Sequence, residues 1–216
     1  MIKVLITGFR HSGTTMLHQL IKAHPNVGWI ENEESLIEFD KPREWVLKLA
    51  ERNAGNLNKN AWGEKIPWGT RDTDIGAKRA IAMSNKWLKY FRKEARVLNI
   101  LRHPLDAILS GGSDKIDKKV FKHIMDGLPK YINAMNPSGR FATIVYEDLV
   151  THPATHLPNI FQFLNLPSDK KIINRIINTE LKFGKINASR AFAYRTRNLG
   201  VEVDYEGIVG LLRNRL

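Results

Sequence analysis

The stretch best suited to chemistry is a glycine-bounded loop near the start of the chain, from Gly8 to Thr15. An apolar run of β type, residues 2–7, precedes the loop. Apolar residues at helical spacing follow it, namely Met16, Leu17, Leu20 and Ile21. A strand, a loop and a helix in this order present backbone N–H groups to a phosphate at the helix N-terminus. The stretch therefore predicts an anion-binding loop.

The loop departs from the phosphate-binding pattern G-x-x-x-x-G-K-[ST] at one fixed position, because Thr14 stands where the pattern has lysine. In nucleoside triphosphate enzymes that lysine reaches the β- and γ-phosphates, and the following hydroxyl holds Mg²⁺. Thr14 and Thr15 can still bind a 5′-phosphate through their N–H groups and hydroxyls. The alternative is a structural strand, turn and helix that happen to contain two glycines.

A second candidate anion contact follows a later apolar run, residues 96–101. Arg102 leaves the end of this predicted strand, and Pro104 suits the first turn of a helix that would carry Ser110. An isolated arginine or serine is more often structural. Because both would lie beside the first loop, we expect Arg102 and Ser110 to meet one anion there.

Acidic residues follow a short predicted strand at 27–30. Glu31 and Glu34 would lie at the carboxyl edge of a sheet, in the crevice where α/β enzymes bind ligands. The alternative is that these carboxylates occupy the first turn of a helix, where Asp and Glu are favoured.

Strands that alternate with helices predict a parallel sheet covered on both faces. Five strands are predicted, at residues 2–7, 27–30, 62–66, 96–102 and 141–146. We therefore expect a single domain, residues 1–216, with a three-layer α/β/α fold resembling that of P-loop nucleoside triphosphate hydrolases.

The composition points to a polyanionic ligand, because 34 Lys and Arg against 22 Asp and Glu give a net charge of +12. Nucleic acid is disfavoured, since there is no zinc spacing, aromatic-basic motif or basic tail. The chain has no cysteine, and its histidines lack metal-site spacing, so no metal is expected. No apolar run approaches the ~20 residues of a membrane span, and the start is not that of a signal peptide, so we expect a cytoplasmic protein.

The motifs together resemble those of the sulfotransferases that use 3′-phosphoadenosine 5′-phosphosulfate (PAPS). The family's 5′-phosphosulfate loop ends in a basic residue and Ser-Gly-Thr-Thr, which is His11 to Thr15 here. Its 3′-phosphate signature R-x-P-x-D-x-x-x-S is the run Arg102 to Ser110. Tyr146-Glu147-Asp148 matches a Tyr-Glu-Asp motif after a late strand, and Lys65-Ile66-Pro67 is similar to the Lys-Thr-Pro element of bacterial members. Each motif alone is weak, but four in the family's order, spread from residue 1 to about 165, are specific.

The resemblance implies transfer of a sulfuryl group from PAPS to a hydroxyl or amine, without a metal. It implies donor contacts at Arg10, His11, Ser12, Gly13, Thr14, Thr15, Met16, Arg102, Ser110 and Tyr146. The family's C-terminal Arg-Lys-Gly signature is absent, and Arg190 or Arg195 is the candidate substitute.

The catalytic candidates that the resemblance implies are two glutamates, a histidine and a lysine. Related enzymes often have a Glu just after the second strand as the base, which points to Glu34 or Glu31. His11 stands where the family usually has Lys or Arg to stabilise the leaving phosphate. Either the adjacent Arg10 takes that task, or His11 serves as an acid if its pKa is raised. Lys65 is the fourth candidate.

Two other functions are compatible with parts of the sequence. A nucleoside or nucleotide kinase of the same fold would need Mg²⁺ and a loop lysine, which Thr14 argues against. A non-catalytic protein could hold a nucleotide, RNA or a sulfated polymer through its positive charge. The acceptor of a sulfotransferase would be a small molecule or a glycan, either neutral or anionic, and no residue identifies its class.

Overall fold

A computed structural model of the chain describes residues 1–28, 42, 44–45, 47–48, 52, 59–68, 73–110, 118–181 and 184–191. These ranges contain four strands: β1 (Ile2–Phe9), β2 (Ala61–Trp68), β3 (Ala95–Leu101) and β4 (Phe141–Val145). The same ranges contain seven α-helices: α1 (Thr14–Lys22), α2 (Thr73–Phe91), α3 (Pro104–Ser110), α4 (Lys118–Met135), α5 (Tyr146–Thr151), α6 (Pro153–Phe163) and α7 (Lys170–Ile177).

The four strands form one parallel sheet in the order β2-β1-β3-β4, which confirms the predicted fold class. The chain passes from β1 to β2 on one side, and then crosses to β3 on the other side of β1. A crevice that can bind a ligand is expected at such a switch point, outside the carboxyl ends of the strands.

The described part of the sheet has four strands rather than about five. The predicted strand at 27–30 is represented by Val27, which forms a single parallel bridge with Ala61. Residues 29–30 lie outside the described residues. β2 is longer than the predicted 62–66 and continues through Pro67 to Trp68. Proline is tolerated there because β2 pairs with β1 on one side only, and its other side carries no strand within the described ranges.

Side chains on the two faces of the sheet pack against different helices. Leu5 and Val97 face one layer, formed by α2 and α4, with Trp87 and Tyr131 at its centre. Val4 and Ile6 face the other layer, formed by α1, α5, α6 and α7. Strands buried on both faces read as continuous apolar runs, which is why the sequence predicted a parallel sheet. Within the described ranges, no helix combines the length and the apolar character needed to cross a bilayer.

Candidate active site

The backbone of the loop between β1 and α1 lies close to neighbouring residues at Gly8 and Gly13. Gly13 has φ +100°, and a Cβ built on it would lie 2.5 Å from the Tyr146 ring. A Cβ on Gly8 would lie 2.6 Å from the carbonyl oxygen of Ile100. A side chain at either position would push the loop away from β3 and α5, so the two glycines allow the loop to lie against the sheet edge.

The N-terminus of α1 opens from this loop without a side-chain cap. Gly13 is its N-cap residue, and the first turn contains no acidic residue. The Ser12 hydroxyl lies beneath the loop, where it is buried and makes no hydrogen bond within the described part of the chain. Uncapped N–H groups and a buried hydroxyl together form a suitable cradle for an anion.

A lysine from the neighbouring strand reaches the loop. Lys65 on β2 is in register with Ile6 of β1 and is largely buried. Its Nζ donates a hydrogen bond to Thr15 Oγ1 at 3.2 Å. The ammonium group therefore lies beside the helix N-terminus, and supplies a positive charge near the loop although Thr14 replaces the usual lysine.

The second predicted anion contact lies beside the first. Arg102 follows β3, which pairs directly with β1, and one of its terminal nitrogens (Nη1) donates to the backbone carbonyl of His11 at 3.2 Å. The guanidinium group lies over the Tyr146 ring, 4.5 Å from its centroid. The loop and Arg102 are thus neighbours, as the crevice at the strand ends predicted.

Both contacts border one cavity of about 640 Å³. Its lining includes many of the predicted residues: His11, Gly13, Thr14, Thr15, Met16, Arg102, Ser110 and Tyr146. Its size falls within the ~300–1,000 Å³ typical of small-molecule and cofactor sites. Arg10 is exposed and does not line the cavity, although its backbone N–H donates to the Trp68 carbonyl at 2.9 Å.

The cavity also has lining residues that the sequence reasoning missed. Gln19 extends the first predicted motif, Asp106 is the aspartate inside the second, and Lys185, Asn187 and Ser189 come from the segment after α7. Gln19 could have been found, because it lies one helical turn after Thr15. The segment 184–189 has no hydrophobic period that would have placed it at the site.

Burial lowers the pKa of His11, and the positive charges of Arg10 and Arg102 lower it further. This shift favours the neutral form of His11 in the ligand-free protein. The condition for an acid role, a raised pKa, is not met in this state. His11 also has a backbone φ of +64°, in the left-handed region that residues other than glycine rarely adopt.

Several predicted site residues cannot be placed against the cavity. Glu31, Glu34 and Arg195 lie outside the described residues. The backbone of Arg190 ends the 3-10 turn Ala188–Arg190, and its side chain is not among those described. Across the described ranges, no group of three or more His, Cys, Asp or Glu side chains has the arrangement of a metal site.

Comparisons with known proteins agree with this geometry. A family model described as "Sulfotransferase domain" matches residues 2–203. The sulfotransferase domain from the curacin biosynthetic pathway superposes with a TM-score of 0.67 and 15% identity, over 97% of this chain and 96% of that chain. The sulfotransferase domain from the Synechococcus PCC 7002 olefin synthase gives 0.64 and 16%, over 99% and 94%.

Mouse sulfotransferase SULT7A1, solved in a complex with PAP, gives a TM-score of 0.54 and 13% identity, over 93% of this chain and 67% of that chain. No curated protein sequence matches the chain. At these identities, the solved structures share the fold of this chain.

Proposed function

Because the chain belongs to the sulfotransferase domain family, we propose that its cavity binds PAPS and that the protein transfers a sulfuryl group to a hydroxyl or amine of a small-molecule or glycan acceptor. One observation carries the assignment of the donor. Two separate anion contacts, the α1 N-terminus and Arg102, border the same cavity of about 640 Å³. PAPS carries anionic groups at both its 5′ and its 3′ positions, whereas AMP and ATP lack the 3′ group.

The residues at the first contact fit the 5′ end of the donor. The N–H groups at the start of α1 are uncapped, and the buried Ser12 hydroxyl, which is not part of the cavity lining, has no hydrogen bond among the described residues. The absence of a Cβ at Gly13 leaves the backbone accessible beside the Tyr146 ring. These groups would hold a phosphate oxygen without a metal ion.

The residues at the second contact fit a 3′-phosphate. Arg102 offers a planar guanidinium group, which suits two-point binding to a phosphate. Ser110, at the end of α3, adds a hydroxyl on the same cavity wall. Lys185 and Ser189 border the cavity from the segment after α7.

PAPS, when bound, supplies an activated sulfuryl group and a phosphate leaving group. The α1 N–H groups and the Thr15 hydroxyl would stabilise the negative charge that develops on that phosphate. Lys65 places an ammonium group at Thr15 Oγ1, where it can share this task. We propose Glu34, with Glu31 as the alternative, as the base that removes the acceptor proton.

A ligand series tests the donor assignment. We expect adenosine 3′,5′-bisphosphate, without any metal, to raise the melting temperature far more than AMP or ATP with Mg²⁺. Ligand at about 100 times its Kd adds about 2.7 kcal/mol to the free energy of unfolding. Equal shifts with AMP, or a strict need for Mg²⁺, would instead favour a kinase or a general nucleotide-binding protein.

The Arg102→Ala variant tests the second contact. We expect its affinity for the bisphosphate to fall roughly ten- to a hundredfold, because a charge-assisted hydrogen bond contributes about 1.5–3 kcal/mol, while its affinity for AMP hardly changes. Isothermal titration calorimetry measures both affinities. Arg96→Ala is the matched control, since Arg96 lies at the start of the same strand and bonds the Phe163 carbonyl at 3.1 Å. If Arg102→Ala weakens both ligands equally, Arg102 supports the fold and does not read the 3′-phosphate.

A further inference from the structure

Glu147 makes a buried contact with the residue that follows Arg102. Its carboxylate is 1% exposed, and Oε1 accepts a hydrogen bond from the backbone N–H of His103 at 2.8 Å. β3 ends at Leu101 and α3 begins at Pro104, so residues 102 and 103 are the whole connection between them. A carboxylate is rarely buried without partners, because removing it from water is costly. Glu147 therefore anchors this short connection through the His103 N–H.

The preceding residue, Tyr146, contacts both anion sites. The guanidinium group of Arg102 lies over its ring at 4.5 Å from the centroid. The same ring borders Gly13 so closely that a Cβ there would approach it to 2.5 Å. One aromatic side chain thus packs against both Gly13, the N-cap residue of α1, and Arg102.

The sheet fixes where this pair of residues lies. β4 ends at Val145, which is in register with Leu101 of β3, and Tyr146 and Glu147 follow without an intervening loop. The residues after Val145 and the residues after Leu101 are therefore neighbours wherever the parallel register is kept. Any change in how α5 starts would move the connection that carries Arg102.

From these contacts we propose that Glu147 is a positioning residue for Arg102. It holds the connection after β3 so that the guanidinium group stays over Tyr146, at a fixed distance from the α1 N-terminus. The inference rests on the proposed binding of a bisphosphate donor. It adds that Glu147, which does not border the cavity, sets the preference for adenosine 3′,5′-bisphosphate over AMP.

A purely structural role for Glu147 would have a different consequence. A lost internal anchor lowers the free energy of unfolding, and weakens all ligands of the folded protein to the same extent. Loss of a positioning contact moves Arg102 in particular, so it weakens a ligand with a 3′-phosphate more than a ligand without one. The ratio of the two affinities separates the two roles.

The test measures the affinities of adenosine 3′,5′-bisphosphate and AMP for variants at this position. Glu147→Ala removes the acceptor of the His103 N–H, and should weaken the bisphosphate at least tenfold while AMP changes by less than about twofold. Glu147→Gln keeps a neutral acceptor of nearly the same shape, and should recover most of the preference. Should the alanine variant not fold, Glu147→Asp, whose shorter side chain also draws the acceptor back, replaces it in the comparison.

Asp148→Asn is the matched control for Glu147→Gln. It makes the same change of charge on the next residue of α5, without touching the His103 N–H, so it should leave the affinity ratio unchanged. In the ligand-free protein, exchange of the His103 amide hydrogen should be faster in Glu147→Ala than in the wild type. This measurement needs no ligand.

The outcomes separate failure of the proposed donor from failure of the proposed role of Glu147. A wild-type protein that binds AMP as tightly as the bisphosphate refutes the proposed donor, while exchange at His103 still reports whether Glu147 holds the connection. A wild type that prefers the bisphosphate, together with Glu147 variants that lose both affinities equally, refutes the positioning role alone. Unchanged exchange at His103 in Glu147→Ala also refutes it.

Discussion

His11 gives the proposed phosphate-binding loop a charge that depends on pH and on a bound anion. Family members have a permanent cation at this position, whereas the pKa of His11 is lowered by burial and by the two nearby arginines. A bound anion would act in the opposite direction, because a negative charge beside an imidazole favours its protonated form. A bound donor would therefore raise the pKa of His11 and favour its cationic form.

This linkage predicts a pH-dependent affinity. Between the low pKa of free His11 and its higher pKa in the complex, binding takes up a proton, so the affinity for adenosine 3′,5′-bisphosphate should rise as the pH falls. Above the pKa of the complex, the affinity should not depend on His11. Calorimetric titrations from pH 5 to 8, repeated in two buffers with different ionisation enthalpies, measure both the affinity and the proton uptake.

His11→Lys is the control for this experiment. Its side chain is charged over the whole range, so any remaining pH dependence comes from the phosphates of the ligand, whose second pKa is about 6. The His11 linkage is absent if the wild type and His11→Lys give the same profile. Activity of His11→Lys at or above that of the wild type would indicate that this position acts as a cation.

At the scale of the elements, His24 connects the end of α1 to the segment before α7. Its Nε2 lies 2.9 Å from the carbonyl oxygen of Pro167, and its Nδ1 accepts the backbone N–H of Asn26 at 3.1 Å. This pair of bonds requires a neutral ring with its proton on Nε2. The ring also packs against Phe161, with the centroids 4.8 Å apart. Since α1 carries the anion-binding N-terminus, His24 helps to fix the far end of the same helix.

The His24 contact predicts that the protein loses stability in mild acid. Burial lowers the pKa of His24 below the value of about 6.5 in the unfolded chain, against the opposing effect of the Pro167 hydrogen bond. The unfolded chain therefore binds the extra proton first. The stabilisation by neutral His24 is complete above pH 6.5, and is lost as the pH falls toward the folded-state pKa. Urea unfolding at several pH values measures the slope.

Two variants isolate this contribution to the slope. His24→Gln removes the titrating group, and should flatten the dependence of the free energy of unfolding on pH below 6.5. His152→Gln, which replaces an exposed histidine at the start of α6, is the control for the substitution itself. A slope that survives in His24→Gln would assign the acid sensitivity to another group.

At the scale of the whole molecule, the sequence predicted the elements and motifs that depend on the local pattern of residues. The apolar runs located β1, β3 and β4. The glycine spacing and the R-x-P-x-D-x-x-x-S signature located the two anion contacts. Their meeting followed from the rule that carboxyl ends of parallel strands share one edge.

Contacts that depend on tertiary packing were not predicted. Lys185 and Ser189 reach the cavity from an irregular segment whose path has no sequence signature. Likewise, Glu147 and His103 are 44 residues apart, and their hydrogen bond depends on the register of β4 against β3. Sequence patterns report the period of one element at a time, so they place residues on elements but do not pair side chains between them.

The two ends of the sheet carry different structural features. The carboxyl ends of the strands carry the cavity, whereas the amino ends carry a cluster of aromatic rings. Trp87 of α2 is fully buried there, and its Nε1–H donates to the carbonyl oxygen of Lys3, near the start of β1, at 3.1 Å. Its ring lies edge-on to Trp62 and Phe91, with centroid distances of 5.9 and 4.6 Å. This cluster attaches α2 to the sheet at the edge opposite to the site.

The separation predicts that Trp87→Phe changes stability without changing binding. Loss of ring volume and of the bond to the Lys3 carbonyl should lower the free energy of unfolding by about 2–4 kcal/mol. Urea unfolding measures this loss. Under conditions where the variant is folded, its Kd for adenosine 3′,5′-bisphosphate should stay within about twofold of the wild-type value.

Trp68→Phe provides the matched comparison, because Trp68 is also buried in the α2–α4 layer but lies at the carboxyl end of β2. Its indole Nε1 makes no hydrogen bond within the described residues, so the phenylalanine variant loses ring volume alone and should be destabilised less than Trp87→Phe.

Trp68 also contacts the proposed anion-binding loop. Its ring packs edge-on against Phe9, with the centroids 5.7 Å apart, and the carbonyl oxygen of Trp68 accepts the Arg10 N–H. A shift of this ring should therefore reach the loop and change the Kd, even though the loss of stability is smaller. If Trp87→Phe weakened the bisphosphate more than Trp68→Phe does, the two ends of the sheet would not be separable in this way.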